Sequence, residues 1–220
     1  MHSFQLAILS GKWFMPASLH TGQSEPIFIQ VSIPDHPHYA LTCTLHRVTE
    51  LWDLGHELFN SSQETFPAHF VGGNAFDPEM LAVAPPTSMQ TTEKPDLNNL
   101  TSLNPLRGHV SAIDATAFFH LFTEDEQLHM ARAFAGLLSA EPGSVILGVH
   151  TGAREKGAVH KIYKNIEIDM FVHNPESWIA MWDGEVFEKG KVEVEAELRE
   201  APAEEGSEPY LFLYWSVTRL

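Results

Sequence analysis

Residues 144–150 read SVILGVH, and this run constrains the fold more than any other stretch of the chain. A strand apolar at successive positions has no polar face to turn toward water. Strands buried on both sides in parallel sheets read this way. Parallel strands need crossovers of a dozen or more residues, usually a helix, and the flanking sequence supplies them. Thr123 begins a helix with the capping-box pattern Thr-x-x-Glu closed by Glu126, and Leu128, Ala131, Phe134, Ala135 and Leu138 form its apolar stripe. That helix stops before Pro142 and Gly143. Downstream, Asn174 followed by Pro175 is a helix cap with a first-turn proline, opening PESWIAMWDGEVF. Upstream, Leu51, Leu54 and Leu58 mark a helix in ELWDLGHELF, and AHFVGGNAF (68–76) and HVSAIDATA (109–117) read as strands. Near the end, KVEVEAELRE alternates apolar and charged, and YLFLYWSVTRL follows after an acidic connection, which predicts an antiparallel hairpin near 191–199 and 210–218. This alternation of helices and strands over residues 48–220 predicts a three-layer α/β sandwich on a mostly parallel sheet with a C-terminal antiparallel hairpin.

Residues 1–47 differ from the rest. They hold Pro16, Pro26, Pro34 and Pro37, few charges and no convincing helix; IFIQVSI (27–33) and ALTCTL (40–45) read as strands. Residues 77–107 hold five prolines and little periodicity, a surface excursion with a weak helix near 78–83. Residues 1–35 and 77–107 are expected to be the least ordered parts. REKGAVHKIYKN (154–165) reads as a basic loop.

The formal charge of −16 repels phosphate backbones and anionic bilayers, so neither nucleic acid nor a membrane is expected as a partner. The lone Cys43 forms no internal disulfide, no apolar run approaches the roughly 20 residues of a membrane span, and the start lacks a basic leader. A cytoplasmic protein is expected, of unspecified oligomeric state. The 13 histidines show no metal-ligand spacing, so no metal site is expected.

The stretch AIDATAFFHLFTEDEQ (112–127) ends a strand with Phe118, Phe119 and His120. In open α/β sheets ligands sit beyond the carboxyl ends of the strands. The two phenylalanines there either fill core or wall a pocket, which is itself mostly apolar. His120 either caps the turn or acts as a general base near neutral pH.

The blocks ELWDLGHELF, FVGGNAFDPE, SAIDATAFFHLFTEDEQ, LLSAEPGSVILG and HNPESWIAMW, in this order, resemble the fungal class I S-adenosylmethionine-dependent methyltransferases of natural-product pathways, the meroterpenoid enzymes among them. The resemblance covers about residues 45–220. It implies a Rossmann-like fold, S-adenosylmethionine as cofactor, and methyl transfer to an oxygen, carboxylate or hydroxyl, of a small hydrophobic acceptor. It places adenine at Asn74 and Ala75, the ribose at His46 and Arg47, and the cofactor and acceptor along Ala115, Thr116, Phe118 and Phe119, with His120 as the catalytic candidate.

Three departures stand out. Asn replaces the family's Asp at position 74, and His46 stands where an acidic residue holds the ribose. The family's glycine-rich turn has no counterpart in residues 1–45. Only residues 34–39 separate the two early strands, too few for a parallel crossover. The amino-terminal segment is therefore expected to be atypical, replaced or truncated, with IFIQVSI pairing onto the sheet. The alternative function is a methyltransferase-like protein that binds no cofactor, either an interaction subunit or a pocket protein.

Overall fold

The computed structural model describes residues 30–32, 49–62, 64–65, 70–88, 95–163, 166–201 and 209–220. Its strands are β1 (Gln30–Ser32), β2 (Ala112–Asp114), β3 (Val145–Thr151), β4 (Gly157–Tyr163), β5 (Ile166–Val172), β6 (Val192–Glu200) and β7 (Leu211–Arg219). Its helices are α1 (Thr49–Phe59), α2 (Glu124–Leu137) and α3 (Pro175–Trp182).

The apolar run lies where its composition requires. β3 is the central strand of a five-stranded sheet of order β1-β2-β3-β7-β6. Ile146, Gly148 and His150 are buried, and the intervening residues are half-buried. The sheet is mixed, which corrects the expectation of a mostly parallel one. β2 and β3 pair in parallel, while β1–β2, β3–β7 and β6–β7 are antiparallel. The reason is connectivity: a helical crossover, α2, joins β2 to β3, whereas β6 and β7 are adjacent in sequence and fold back as a hairpin. That hairpin is the predicted one, with Val194 opposite Val217 and Ala196 opposite Trp215.

β1 pairs with β2, Val31 opposite Ile113, so part of IFIQVSI does join the sheet, as an antiparallel strand. The remaining early candidates, the strand at 40–45, Cys43, His46 and Arg47, fall outside the described residues.

Both predicted caps form. Thr123 Oγ1 accepts from Glu126 N–H, and Glu126 Oε2 accepts from Thr123 N–H at 2.9 Å. Asn174 Oδ1 accepts from Ser177 N–H at 3.0 Å, with Pro175 in the first turn of α3. α3 ends at Trp182 rather than Phe187, because Gly184 at φ 148 turns the chain back toward the Asp183–Phe187 bridge.

Four further expectations are corrected. Residues 154–165 are read as a basic loop, but 157–163 form β4, paired antiparallel with β5 at 166–172. Residues 70–76 form no strand; Asn74 Oδ1 caps a turn by accepting from Phe76 N–H at 3.0 Å. The excursion at 78–83 is one turn, with Leu81 N–H bonded to Asp77 O at 2.8 Å. Its described parts are pinned. Asn104 Oδ1 accepts from Ala82 N–H at 2.9 Å, its Nδ2 donates to Pro78 O and Glu79 O, and Leu81, Leu97, Leu103 and Leu106 are buried. Finally, two residues of the stripe on α1 are open to solvent, Leu54 54% and Leu58 76% exposed. Among the described residues, no helix is long and apolar enough to cross a membrane.

Gly148 sets the tightest contact in the sheet. A Cβ there would meet Ala115 O and Trp215 Cζ2, each at 2.9 Å. Both neighbours are held by the fold, so neither moves cheaply. Gly148→Ala is therefore expected to lower stability by roughly 1–3 kcal/mol. Denaturant unfolding of the purified variant reads this directly, and a midpoint equal to that of the unsubstituted chain would contradict the packing.

Candidate functional site

The chain ends β2 at Asp114 and carries Ala115 and Thr116 along β3, with Ala115 N–H on Leu147 O at 2.9 Å and Ala117 N–H on Val149 O at 2.7 Å. Ala117 then takes φ 56, an uncommon left-handed conformation for a residue with a side chain. The backbone turns inward into a short 3-10 turn, Phe119–Leu121. That turn drives Phe119 and His120 into the core, while Leu121 faces outward, 39% exposed.

Phe118 and Phe119 are buried and pack edge to face at 5.1 Å. Phe119 also meets Phe134 at 5.8 Å, Trp178 at 5.1 Å and Trp215 at 5.7 Å. Phe118 reaches Phe122 at 5.0 Å, and Phe122 reaches Phe76 at 5.2 Å. This chain of rings ties the Asn74–Phe76 turn to the 3-10 turn, so two of the predicted loci lie in one connected cluster. Asn74 is exposed and Ala75 buried; Ala115 is buried, and Thr116 is half-buried with its N–H donating to Asp114 Oδ1. His46 and Arg47 lie outside the described residues.

The cluster also holds residues that sequence reasoning missed. His150 ends the buried face of β3, and His173 precedes the cap of α3. His120 stacks on His150 at 6.0 Å. Trp178 packs on His150 at 4.8 Å, on His173 at 5.3 Å and on Trp215 at 4.9 Å. Trp182 lies 5.9 Å from Trp178 and 6.0 Å from Trp215. The strand-end rule that drew notice to His120 applies equally to His150, the last residue of SVILGVH. Nothing local in the sequence marks His173 or the tryptophans as its neighbours.

Most of this cluster is hydrocarbon, but among the described residues six buried polar atoms lack a partner within the chain. They are His120 Nδ1, Gln127 Oε1, His150 Nε2, His173 Nε2, Trp178 Nε1 and Trp182 Nε1. A buried polar atom left unbonded costs about 1–3 kcal/mol. Folded proteins contain only a few per 100 residues, each calling for a reason such as strain, catalysis or an ordered water. Five of the six sit on the histidine and tryptophan rings of this cluster.

The histidines are neutral at physiological pH. Burial pushes His120 down to about 4 from the usual 6.5. Burial also holds His150 well below 6.5, reinforced by repulsion from His120 and His173. His173 is lowered to about 4, by burial and then by Lys156, with Glu124 opposing. A neutral imidazole can donate at one nitrogen and accept at the other. At about 4, His120 is a weak proton acceptor near neutrality. Among the described residues, no group of His, Cys, Asp or Glu side chains is arranged to hold a metal ion. A hollow of about 260 Å³ lined by Val83, Ala84, Pro85, Pro86, Arg132 and Val186 contains none of these residues.

No protein-family model matches the chain. Curated relatives do. It is 26% identical over 182 residues to the O-methyltransferase phiE of a fungal species, covering 81% of this chain and 51% of phiE. It is 25% identical over 191 residues to methyltransferase prhM of Penicillium brasilianum, covering 80% of this chain and 67% of prhM. Over 176 residues it is 25% identical to the asnovolin E/chermesin D methyltransferase nvfJ of Aspergillus novofumigatus, covering 80% of this chain and 53% of nvfJ. The resemblance is to fungal secondary-metabolite methyltransferases. The chain spans about half the length of phiE and of nvfJ.

The buried histidines give the fold a pH dependence of known sign. The unfolded chain binds their protons near 6.5, whereas folded His120 and His173 resist until about 4. Between these values the unfolded state takes up more protons, so stability falls as pH drops through that window. At about pH 5 the loss should be roughly 2 kcal/mol per histidine. The exposed His160, raised by its bond to Asp169, works weakly in the opposite direction. Urea midpoints measured between about pH 7 and pH 5 should fall, and His120→Leu should flatten the slope. A profile flat across this window would contradict neutral burial.

Proposed function

We propose that the chain supports S-adenosylmethionine-dependent transfer of a methyl group to an oxygen of a small hydrophobic acceptor. The observation that carries this reading is the similarity to fungal methyltransferases, phiE among them named an O-methyltransferase. The structure adds support of two kinds. A buried aromatic and histidine cluster lies beside the carboxyl ends of β2 and β3, where open α/β sheets bind ligands. The antiparallel β6–β7 pair matches the terminal hairpin of the Rossmann-like methyltransferase fold.

Among the described residues, the feature that suits the cofactor is at the adenine locus, Asn74. Asn74 is exposed at the tip of a turn. One lone pair of its carbonyl oxygen serves Phe76 N–H, and the second is available to an adenine amino group. Buried Ala75 and the Phe76 ring make the apolar wall beside it. Ala115 and Thr116 follow the end of β2, Ala115 buried and Thr116 half-buried. When bound, S-adenosylmethionine supplies an electrophilic methyl carried on a sulfonium.

The chain's own residues position and desolvate. Phe118, Phe119, Trp178 and Trp215 exclude water, which strengthens every polar interaction made inside. Holding the acceptor in line supplies the larger part of the rate, through proximity rather than proton abstraction. A hydroxyl acceptor loses its proton as the new carbon–oxygen bond forms. His120 and His173, both lowered to about 4, are only weak acceptors for it near neutrality, so the proton passes on to solvent.

The second reading, a methyltransferase-like protein without cofactor, is favoured by the absence of a glycine-rich turn in residues 1–45. Cofactor held at the adenosine end alone would bind weakly. Each lost hydrogen bond costs on the order of 1 kcal/mol, so losing several weakens affinity roughly a hundredfold or more. Titration with S-adenosylhomocysteine by calorimetry separates the readings. Saturable but weak binding, lost in Asn74→Ala, is the expected outcome. A flat titration at millimolar ligand would overturn methyl transfer in favour of the second reading.

A further inference from the structure

The tautomer of His150 is fixed by its neighbour. An indole N–H can only donate. Trp215 Nε1–H donates to His150 Nδ1 at 3.0 Å, in the interior. Nδ1 must therefore carry the lone pair, and in the neutral ring the proton sits on Nε2. His150 Nε2–H is thus a donor of known polarity, on a side chain only 2% exposed, and it has no partner. Trp178 Nε1–H and Trp182 Nε1–H are two more buried donors without partners on the surrounding rings. His173 Nδ1 shares a 2.9 Å hydrogen bond with Ser177 Oγ, whose hydroxyl also lies 3.1 Å from Asn174 O.

The charges around this cluster do not suit an anion. His120 and His173 are the titratable groups against it, and both are neutral near pH 7. Lys156, the cation acting on His173, is exposed and already paired with Glu124. Protonating His150 would set two N–H groups against each other at Nδ1. A carboxylate brought here would be desolvated with no counter-charge, which is strongly unfavourable.

We propose that His150 Nε2–H is the specificity-determining donor for the acceptor, and that the site takes an uncharged hydroxyl, phenol or alcohol, on an otherwise apolar molecule, in preference to a carboxylate. This rests on the methyl-transfer reading for the ligand's role as acceptor. His150 orients the oxygen and takes no proton from it. His120 stacks on His150 from a 3-10 turn closed by backbone bonds of 3.3 and 3.1 Å.

The test uses the full chain labelled with ¹⁵N-histidine, and phenol, toluene and benzoate as probes. The free protein should show His150 protonated at Nε2. Phenol should shift that nitrogen saturably, with toluene and benzoate at least about tenfold weaker. His150→Phe should bind phenol and toluene alike. Should that variant fail to fold, Trp215→Phe removes the constraint on Nδ1, and an Nδ1-protonated form of His150 should appear. Protonation at Nδ1 in the unsubstituted chain, a preference for benzoate, or no response to phenol would each overturn the inference. A parallel S-adenosylhomocysteine titration keeps the two readings apart. Cofactor binding without a phenol response overturns the hydroxyl site alone. A phenol response without cofactor binding upholds the site and overturns methyl transfer.

Discussion

The hydrogen bond from Trp215 to His150 organises the interior of this protein. It joins adjacent strands across the sheet, and the contact depends on a residue with no side chain at all. Gly148 stands opposite Trp215 in the β3–β7 register. The missing Cβ leaves room for the indole on one side and the Ala115 carbonyl on the other. With Trp215 seated there, Trp178 and Trp182 of α3 pack against it, and Phe119 closes the group from the far end. Residues 65 apart in sequence thus set the position of each other's rings and protons.

The same arrangement explains why polar atoms are stranded inside. Aromatic packing alone would be served by phenylalanine. Histidine and tryptophan add polar nitrogens that must be bonded or else weaken the fold, and several here are unbonded within the chain. Such atoms in a dry interior at the end of a sheet are what a ligand-binding site needs before its ligand arrives. Proteins commonly accept lower stability at the site where they act. Neutral histidines donate and accept hydrogen bonds without adding charge to a water-poor interior.

Much of the frame was legible in the sequence because its signals are local. The capping residues Thr123 and Asn174 each act within three positions, and the alternation in KVEVEAELRE is a property of one strand. The strand at 157–163 was misread because Lys156, Lys161 and Lys164 drew attention to charge, while its pairing with 166–172 is set by period and partner. Leu54 and Leu58 have helical spacing, and α1 is a helix, but spacing does not name what the stripe packs against. The site was legible only in part for the same reason. Phe118, Phe119 and His120 are adjacent and end a strand, so they could be singled out. His150, His173 and the tryptophans meet them through tertiary contacts alone.

A bond that organises the interior opens only with the whole fold. Native-state hydrogen exchange of the Trp215 indole N–H, compared with the backbone amides of β3, tests this most directly. Groups that open only with the whole fold share the global unfolding free energy. The account predicts that the Trp215 indole and the β3 amides exchange with the same free energy and the same denaturant dependence. An indole exchanging orders of magnitude faster than those amides, with no denaturant dependence, would contradict it.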